Sequence, residues 1–197
     1  MSTWRDRHGS WTYRVWRERQ IDALSLVNAE LYRTCIGAGM FDAAADVARV
    51  EILLREGGVY VDADSICHRP LDGASFLEAG FFAVHEPTPL ADDPVTNAFM
   101  GARPDHPVLE RYLGALATID DPRPQWRNTG PVQLSEAIRA GDERDVIVLP
   151  GWTFMTRTAA GDSVTGGDPF GEHFFSSTAE RSDRWLGARG YLDGKFA

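Results

Sequence analysis

Residues 42–64 constrain the fold most, because the period of their apolar positions changes from that of a helix to that of a strand across a Gly-Gly pair. Ala43, Val47, Val50 and Leu54 recur at helical spacing, with Asp42 placed to cap the helix and Gly57 to stop it. Beyond Gly58, Val59, Tyr60, Val61, Asp62, Ala63 and Asp64 alternate as a strand does, which puts Tyr60, Asp62 and Asp64 on one face. Two ionised carboxylates on one face repel each other, and the arrangement costs stability unless positive charge stands near them. On that reading, deleting one of the two stabilises the metal-free chain. A divalent cation is the direct candidate for the missing charge, since Mg2+ or Mn2+ takes one or two protein carboxylates and completes its shell with water and phosphate oxygens.

Further along, residues 80–86 and 95–102 read as buried strands, and residues 146–149 as a short core strand closed by Pro150. Residues 104–119 read as a helix with Asp105 as cap and Pro107 in its first turn, and residues 129–140 as another entered through Gly130 and Pro131. Residues 11–16 alternate as a short strand, with Trp11, Tyr13 and Val15 on one side, before a helical stretch that reaches Asn28. Strands alternating with helices predict an α/β sheet. The length of 197 residues suits one domain, in which residues 151–197 form a loop-rich C-terminal part.

A net charge of -9 argues against nucleic acid or an anionic membrane as partner, because phosphate is bound through excess Lys and Arg. The opening MSTWRDRHGS has no apolar core of a signal peptide, and no run of about 18 apolar residues occurs, so the expectation is a cytoplasmic chain with no transmembrane segment. Cys35 and Cys67 lack metal-ligand spacing and are read as partly buried free thiols.

The stretch ADVARVEILLREGGVYVDADSICHRPLD, residues 45–72, resembles the sugar-binding region of glycosyltransferase family 32. That family contains the initiating mannosyltransferases and is related to the catalytic domains of the clostridial glucosylating toxins. The Asp-X-X-Arg pair, Gly-Gly, the aromatic and the double aspartate keep the family's order and spacing. TWRDRHGSWTYRVW, NAFMGARPDHPVLERYL and TGPVQL extend the similarity over most of residues 3–150. The resemblance implies a GT-A-like nucleotide-diphospho-sugar transferase fold, a Rossmann-like mixed sheet flanked by helices.

It also implies a retaining transfer from a UDP- or GDP-sugar to a carbohydrate, lipid or protein acceptor. Asp64, with Asp62, would hold Mn2+ or Mg2+. Asp46, Arg49 and Asp62 would act on the donor, with Tyr60, Asn97 and Gly130 beside it. His173 falls where the family brings a histidine near the metal, although Thr178 stands where the family has tryptophan, and His8, His68, His85 and His106 rank below it. The family's first strand has no counterpart, which implies an N-terminally shortened fold, weak discrimination between uridine and guanosine, and a sheet edge open to pairing with a second copy.

Three other readings stand beside this one. Asp46 and Arg49, one helical turn apart, could be a surface ion pair with no role in binding. VYVDADSI fits the start of a haloacid-dehalogenase-type phosphatase, whose charge-balancing lysine would have to be Lys195, the single lysine of the chain. A shortened relative could also keep the fold and bind a sugar, a nucleotide-sugar or a partner without catalysis.

Overall fold

A computed structural model describes residues 2–87, 94–123 and 125–175. Lys195 and Thr178 lie outside these residues. In chain order the elements are α1 (Ser2–Arg7), α2 (Glu18–Asp22), α3 (Ala29–Gly37), α4 (Phe41–Glu56), β1 (Gly58–Val61), β2 (Ser65–Cys67), β3 (Phe81–His85) and β4 (Val95–Ala102). They continue with α5 (Pro107–Leu116), α6 (Gln125–Asn128), α7 (Pro131–Arg139), β5 (Val146–Leu149) and β6 (Gly171–His173). The main sheet has the order β1-β4-β3-β5 and is mixed, because β4 runs antiparallel to both neighbours while β3 and β5 are parallel. A second sheet pairs β2 with β6. This is the mixed α/β class that the alternating pattern predicts.

The sheet separates two apolar clusters. Phe81, Ala83, Met100 and Ala102 face the helices, where α3, α4, α5 and α7 bury Val47, Val50, Leu109, Tyr112 and Leu134. Phe82, Val84 and Phe99 face the opposite way, onto Trp4, Phe76, Phe154 and Met155. β3 and β4 are therefore covered on both sides, which is why their sequences are continuous apolar runs. β5 is only partly buried, an edge strand where the sequence suggested a core one.

Gly57 ends α4 as expected. Its φ is 66°, and a Cβ there would stand 2.7 Å from Pro104 Cδ, so the turn into β1 admits glycine alone without rearrangement. Both expected acidic caps are displaced, by two residues at α4 and by one at α5. Met40 is the N-cap of α4, and Asp42 accepts from the Ala43 N–H inside the first turn. His106 caps α5 by accepting from Val108 N–H at 3.2 Å, while Asp105 sits before it at φ 55°. Residues 12–17 form no strand. Among the described residues no strand lies beside them to supply a ladder, and their side chains are anchored separately, Trp11 on Asp72 and Arg14 on Glu56. A cavity of about 470 Å³ separates residues 11–16 from the edge of β1 that β4 leaves unpaired.

Cys35 and Cys67 are buried free thiols in different clusters, and burial pushes both up to about 11. Among the described residues no helix is long and apolar enough to cross a membrane.

Glu51 of α4 is 1% exposed and accepts from the backbone N–H groups of Val27 and Asn28 at 2.8 and 2.9 Å, with Arg55 at 3.2 Å completing its shell. It fixes the entry into α3. Glu51→Ala leaves two amides unsatisfied and is expected to cost about 2–4 kcal/mol in urea unfolding. Glu143 and Arg111 form a two-pronged pair at 2.6 and 2.8 Å, and hydrogen bonds from Arg111 hold the Glu143 carboxyl down at about 2. A depressed carboxyl stabilises the fold above its unfolded value, near 4.5, and the benefit disappears as pH falls toward 2. Glu143→Gln should therefore cost about 1 kcal/mol at pH 7, with the difference from wild type shrinking in unfolding curves taken below pH 4.5.

Candidate active site

The functional side chains gather where α4, the β1–β2 turn, β4 and β6 meet. β1 ends at Val61, so Asp62 and Asp64 lie just past the strand in a turn, where the sequence suggested a strand continuing to Asp64. The turn is pinned from within. Asp62 N–H donates to Ala98 O at 3.0 Å, the Ser65 hydroxyl donates to Asp62 O at 2.5 Å, and Trp4 Nε1 donates to Ser65 Oγ at 3.0 Å.

The pairing of β2 with β6 places His173 opposite Ser65. His173 Nε2 then stands 3.0 Å from Asp64 Oδ1 and 3.4 Å from Asp62 Oδ2. Ligand atoms of the three residues lie within 4.8 Å of one another. Burial alone would lower the His173 pKa, but the Asp64 and Asp62 carboxylates outweigh it and raise the ring to about 10. Two carboxylate oxygens and one imidazole nitrogen converging from two elements form a donor set that fits a divalent ion of the Mn2+ type. Other histidines serve elsewhere: His106 is a buried cap beside Asp145, and His8 spans Trp4 O and Leu71 N–H as a structural link.

Asp46 and Arg49 are not a surface pair, being 1% and 4% exposed. α4 is covered nearly all round, and β4 and the residue 125–130 segment close over the stripe that carries Asp46 and Arg49. Arg49 spans the site. Nη1 donates to Asn97 O at 2.7 Å, Nε to Ala45 O at 3.2 Å, and Nη2 lies 3.3 Å from Asp46 and 3.1 Å from Asp62. Its guanidinium stacks 4.6 Å over the Tyr60 ring, and Tyr60 OH donates to Asp62 Oδ1 at 2.6 Å. Burial pushes the Tyr60 phenol well up, so it remains a donor.

Asn97 reaches this hub because the β3–β4 ladder breaks between Ala83 and Val84, whose partners are Met100 and Thr96. The intervening residues are released from that side of the ladder, as at a bulge, and Asn97 Nδ2 donates to Asp46 Oδ1 at 2.7 Å. Burial pushes the Asp46 carboxyl up, while Arg49 and hydrogen bonds from Gln125, Thr129 and Asn97 pull it down. The net direction is up, and the hydrogen bonds it accepts from Asn97, Gln125 and Thr129, with Arg49 beside it, all favour the ionised form.

Of the residues that complete this site, Gly130 is expected there from the sequence, whereas Gln125, Thr129 and Tyr112 are not singled out by it. Gln125 Nε2 and the Thr129 hydroxyl, at 2.9 Å, donate to Asp46 Oδ2. Tyr112 OH donates to Thr129 O at 2.5 Å and receives Asn97 Nδ2 at 3.1 Å. Gly130 contributes its carbonyl, 3.3 Å from Tyr112 OH. Thr129 belongs to the Thr-Gly-Pro turn, but nothing in that turn's chemistry says its hydroxyl points at α4. Glu86, at the end of β3, has its carboxyl pushed up by burial and pulled down by His173 and a hydrogen bond with Thr96.

Residues 1–79 match the family described as "Glycosyltransferase sugar-binding region containing DXD motif". A stretch of 66 residues, 34% of this chain and 26% of the other, is 38% identical to an uncharacterized glycosyltransferase of Acanthamoeba polyphaga mimivirus. Among solved structures, the PaToxG Glycosyltransferase superposes with a TM-score of 0.49 at 17% identity, over 63% of this chain and 44% of that one. The chain thus spans about a quarter of the curated relative it matches. The resemblance carried by residues 45–72 is to the same family that residues 1–79 match.

Proposed function

We propose, from the glycosyltransferase match over residues 1–79 and from the convergence of Asp62, Asp64 and His173, that the protein is a metal-dependent glycosyltransferase using a nucleotide-diphosphate sugar. The observation that carries the metal is the meeting of three ligands of two types from segments more than 100 residues apart, since a solvated pair of aspartates needs no buried histidine between them. Asp62, Asp64 and His173 would hold a divalent ion, which supplies positive charge to a diphosphate as it leaves.

The chain's own residues do the remaining work. Arg49 holds Asp62 in place from behind and shares its charge with Asp46. Tyr60 fixes the Asp62 oxygen on the Arg49 side, leaving Oδ2 turned to His173. Asp46 and Arg49 would orient hydroxyls of the donor sugar, with Asn97 and Gly130 shaping that side and Tyr60 near the nucleotide. Retention at the anomeric carbon is the outcome that the family resemblance supports, with the acceptor hydroxyl attacking the face from which the diphosphate departs.

The test is incubation with manganese and a panel of UDP- and GDP-sugars, reading free nucleotide. Release that requires the metal and stops on chelation is expected. No release from any donor, or release indifferent to manganese, would overturn the reading, and a burst of phosphate from a simple phosphomonoester would favour the phosphatase chemistry instead.

A further inference from the structure

The Asp46 carboxylate is enclosed on every side by donors and cationic charge. A carboxylate offers about four lone-pair sites. Three are hydrogen-bonded here, Oδ1 to Asn97 Nδ2 and Oδ2 to the Thr129 hydroxyl and Gln125 Nε2, and Arg49 Nη2 covers Oδ1 as an ion pair at 3.3 Å, leaving the residue 1% exposed. A sugar hydroxyl seated on Asp46 must therefore replace one of these donors. Arg49, Asn97 and Thr129 are 4%, 5% and 0% exposed and have further bonds that hold them. Gln125 is the half-buried member of the four, at the first residue of α6.

The orientation of its amide is fixed by chemistry. An amide oxygen turned toward the carboxylate would set acceptor against acceptor, so Nε2 faces Asp46 and Oε1 points away. The space it uses exists because residue 130 is glycine. A Cβ there would lie 3.0 Å from Gln125 Nε2 and 3.3 Å from Asp46 Oδ2.

We infer that Gln125 is a specificity-determining residue for the donor sugar, its amide standing in for a sugar hydroxyl on Asp46 until the correct sugar replaces it. The inference rests on the donor reading above. A sugar with a hydroxyl in the right place exchanges one charge-assisted hydrogen bond for another at little net cost. An epimer that expels the amide without supplying a hydroxyl loses that bond outright, and such bonds are the stronger class. Gln125 thus raises the penalty on the wrong epimer rather than the affinity for the right one, a selection by exclusion.

The test compares wild type with Gln125→Ala and Gln125→Glu on epimeric donor pairs, UDP-glucose against UDP-galactose and GDP-mannose against GDP-glucose, in manganese. In the alanine variant water takes the amide's place. In the glutamate variant the new carboxylate is driven away from Asp46. Both should lower the ratio of kcat/KM between the preferred donor and its epimer by about tenfold, with little change in thermal midpoint. A residue with only a structural role would lower both epimers together and leave the ratio unmoved. An unchanged ratio in both variants, or a wild type that turns over both epimers equally, overturns this inference and leaves the transferase reading standing. No turnover of any donor by wild type overturns both.

Discussion

Asp64→Ala abolishes the manganese dependence of nucleotide release and lowers the rate by about 10²-fold or more, while the fold survives. Asp64 lies in the β1–β2 turn with a side chain 22% exposed, and its backbone carbonyl accepts from Phe174 N–H at 3.0 Å. Alanine keeps that bond. The substitution removes one of three converging ligands and leaves His173 facing Asp62 alone at 3.4 Å.

Simple repulsion between Asp62 and Asp64 would make the metal-free variant more stable, but the imidazole between them changes the sign. Its pKa, raised to about 10 by the two carboxylates, keeps it protonated at neutral pH. A raised histidine stabilises the fold fully below its unfolded value of 6.5, and the benefit is lost as pH rises toward 10. The metal-free variant is therefore expected to melt slightly below wild type at pH 6 and to approach it at pH 9. Thermal scans with and without manganese, beside the release assay, check both halves. Full manganese-dependent release by the variant would remove Asp64 from the metal site.

The sequence and the structure agree where the information is local. The change of period at Gly57 is a property of neighbouring residues, and so are the apolar runs of β3 and β4. The misplaced caps are local too, but chemistry there permits nearby alternatives: His106 accepts from Val108 N–H as Asp105 could have done. What the sequence could not show is which distant segments meet. His173 comes to Asp64 through a ladder joining residues 65–67 to residues 171–173. Gln125 and Thr129 come to Asp46 through the packing of α6 on α7, of α7 on α5 and of α5 on α4, which no spacing encodes. The burial of Asp46 and Arg49 was not readable from the helix either. On α4 they share a polar stripe with Asp42 and Glu56 that reads as a wet face, and it is the docking of β4 and the residue 125–130 segment over its middle that removes them from water.

Arg49→Lys distinguishes that buried hub from an ordinary ion pair. The guanidinium reaches four groups in different directions, Ala45 O, Asn97 O, Asp46 and Asp62, and lies flat over Tyr60. A lysine ammonium presents three donors from one nitrogen and has no planar face to stack, so it cannot bridge the two carboxylates and the Asn97 carbonyl together. Between 4% exposed Arg49 and 1% exposed Asp46 there is no bulk water to fill the vacated positions cheaply. The variant is expected to lose about 2–4 kcal/mol in urea unfolding. Below its unfolding transition, nucleotide release should still fall by about 10²-fold, because Asp62 loses the group that orients it toward His173. An exposed helix pair of the same spacing would change neither quantity by more than a few tenths of a kcal/mol. Release within twofold of wild type, from a variant shown to be folded, would mean that Arg49 holds the fold together and takes no part in the reaction.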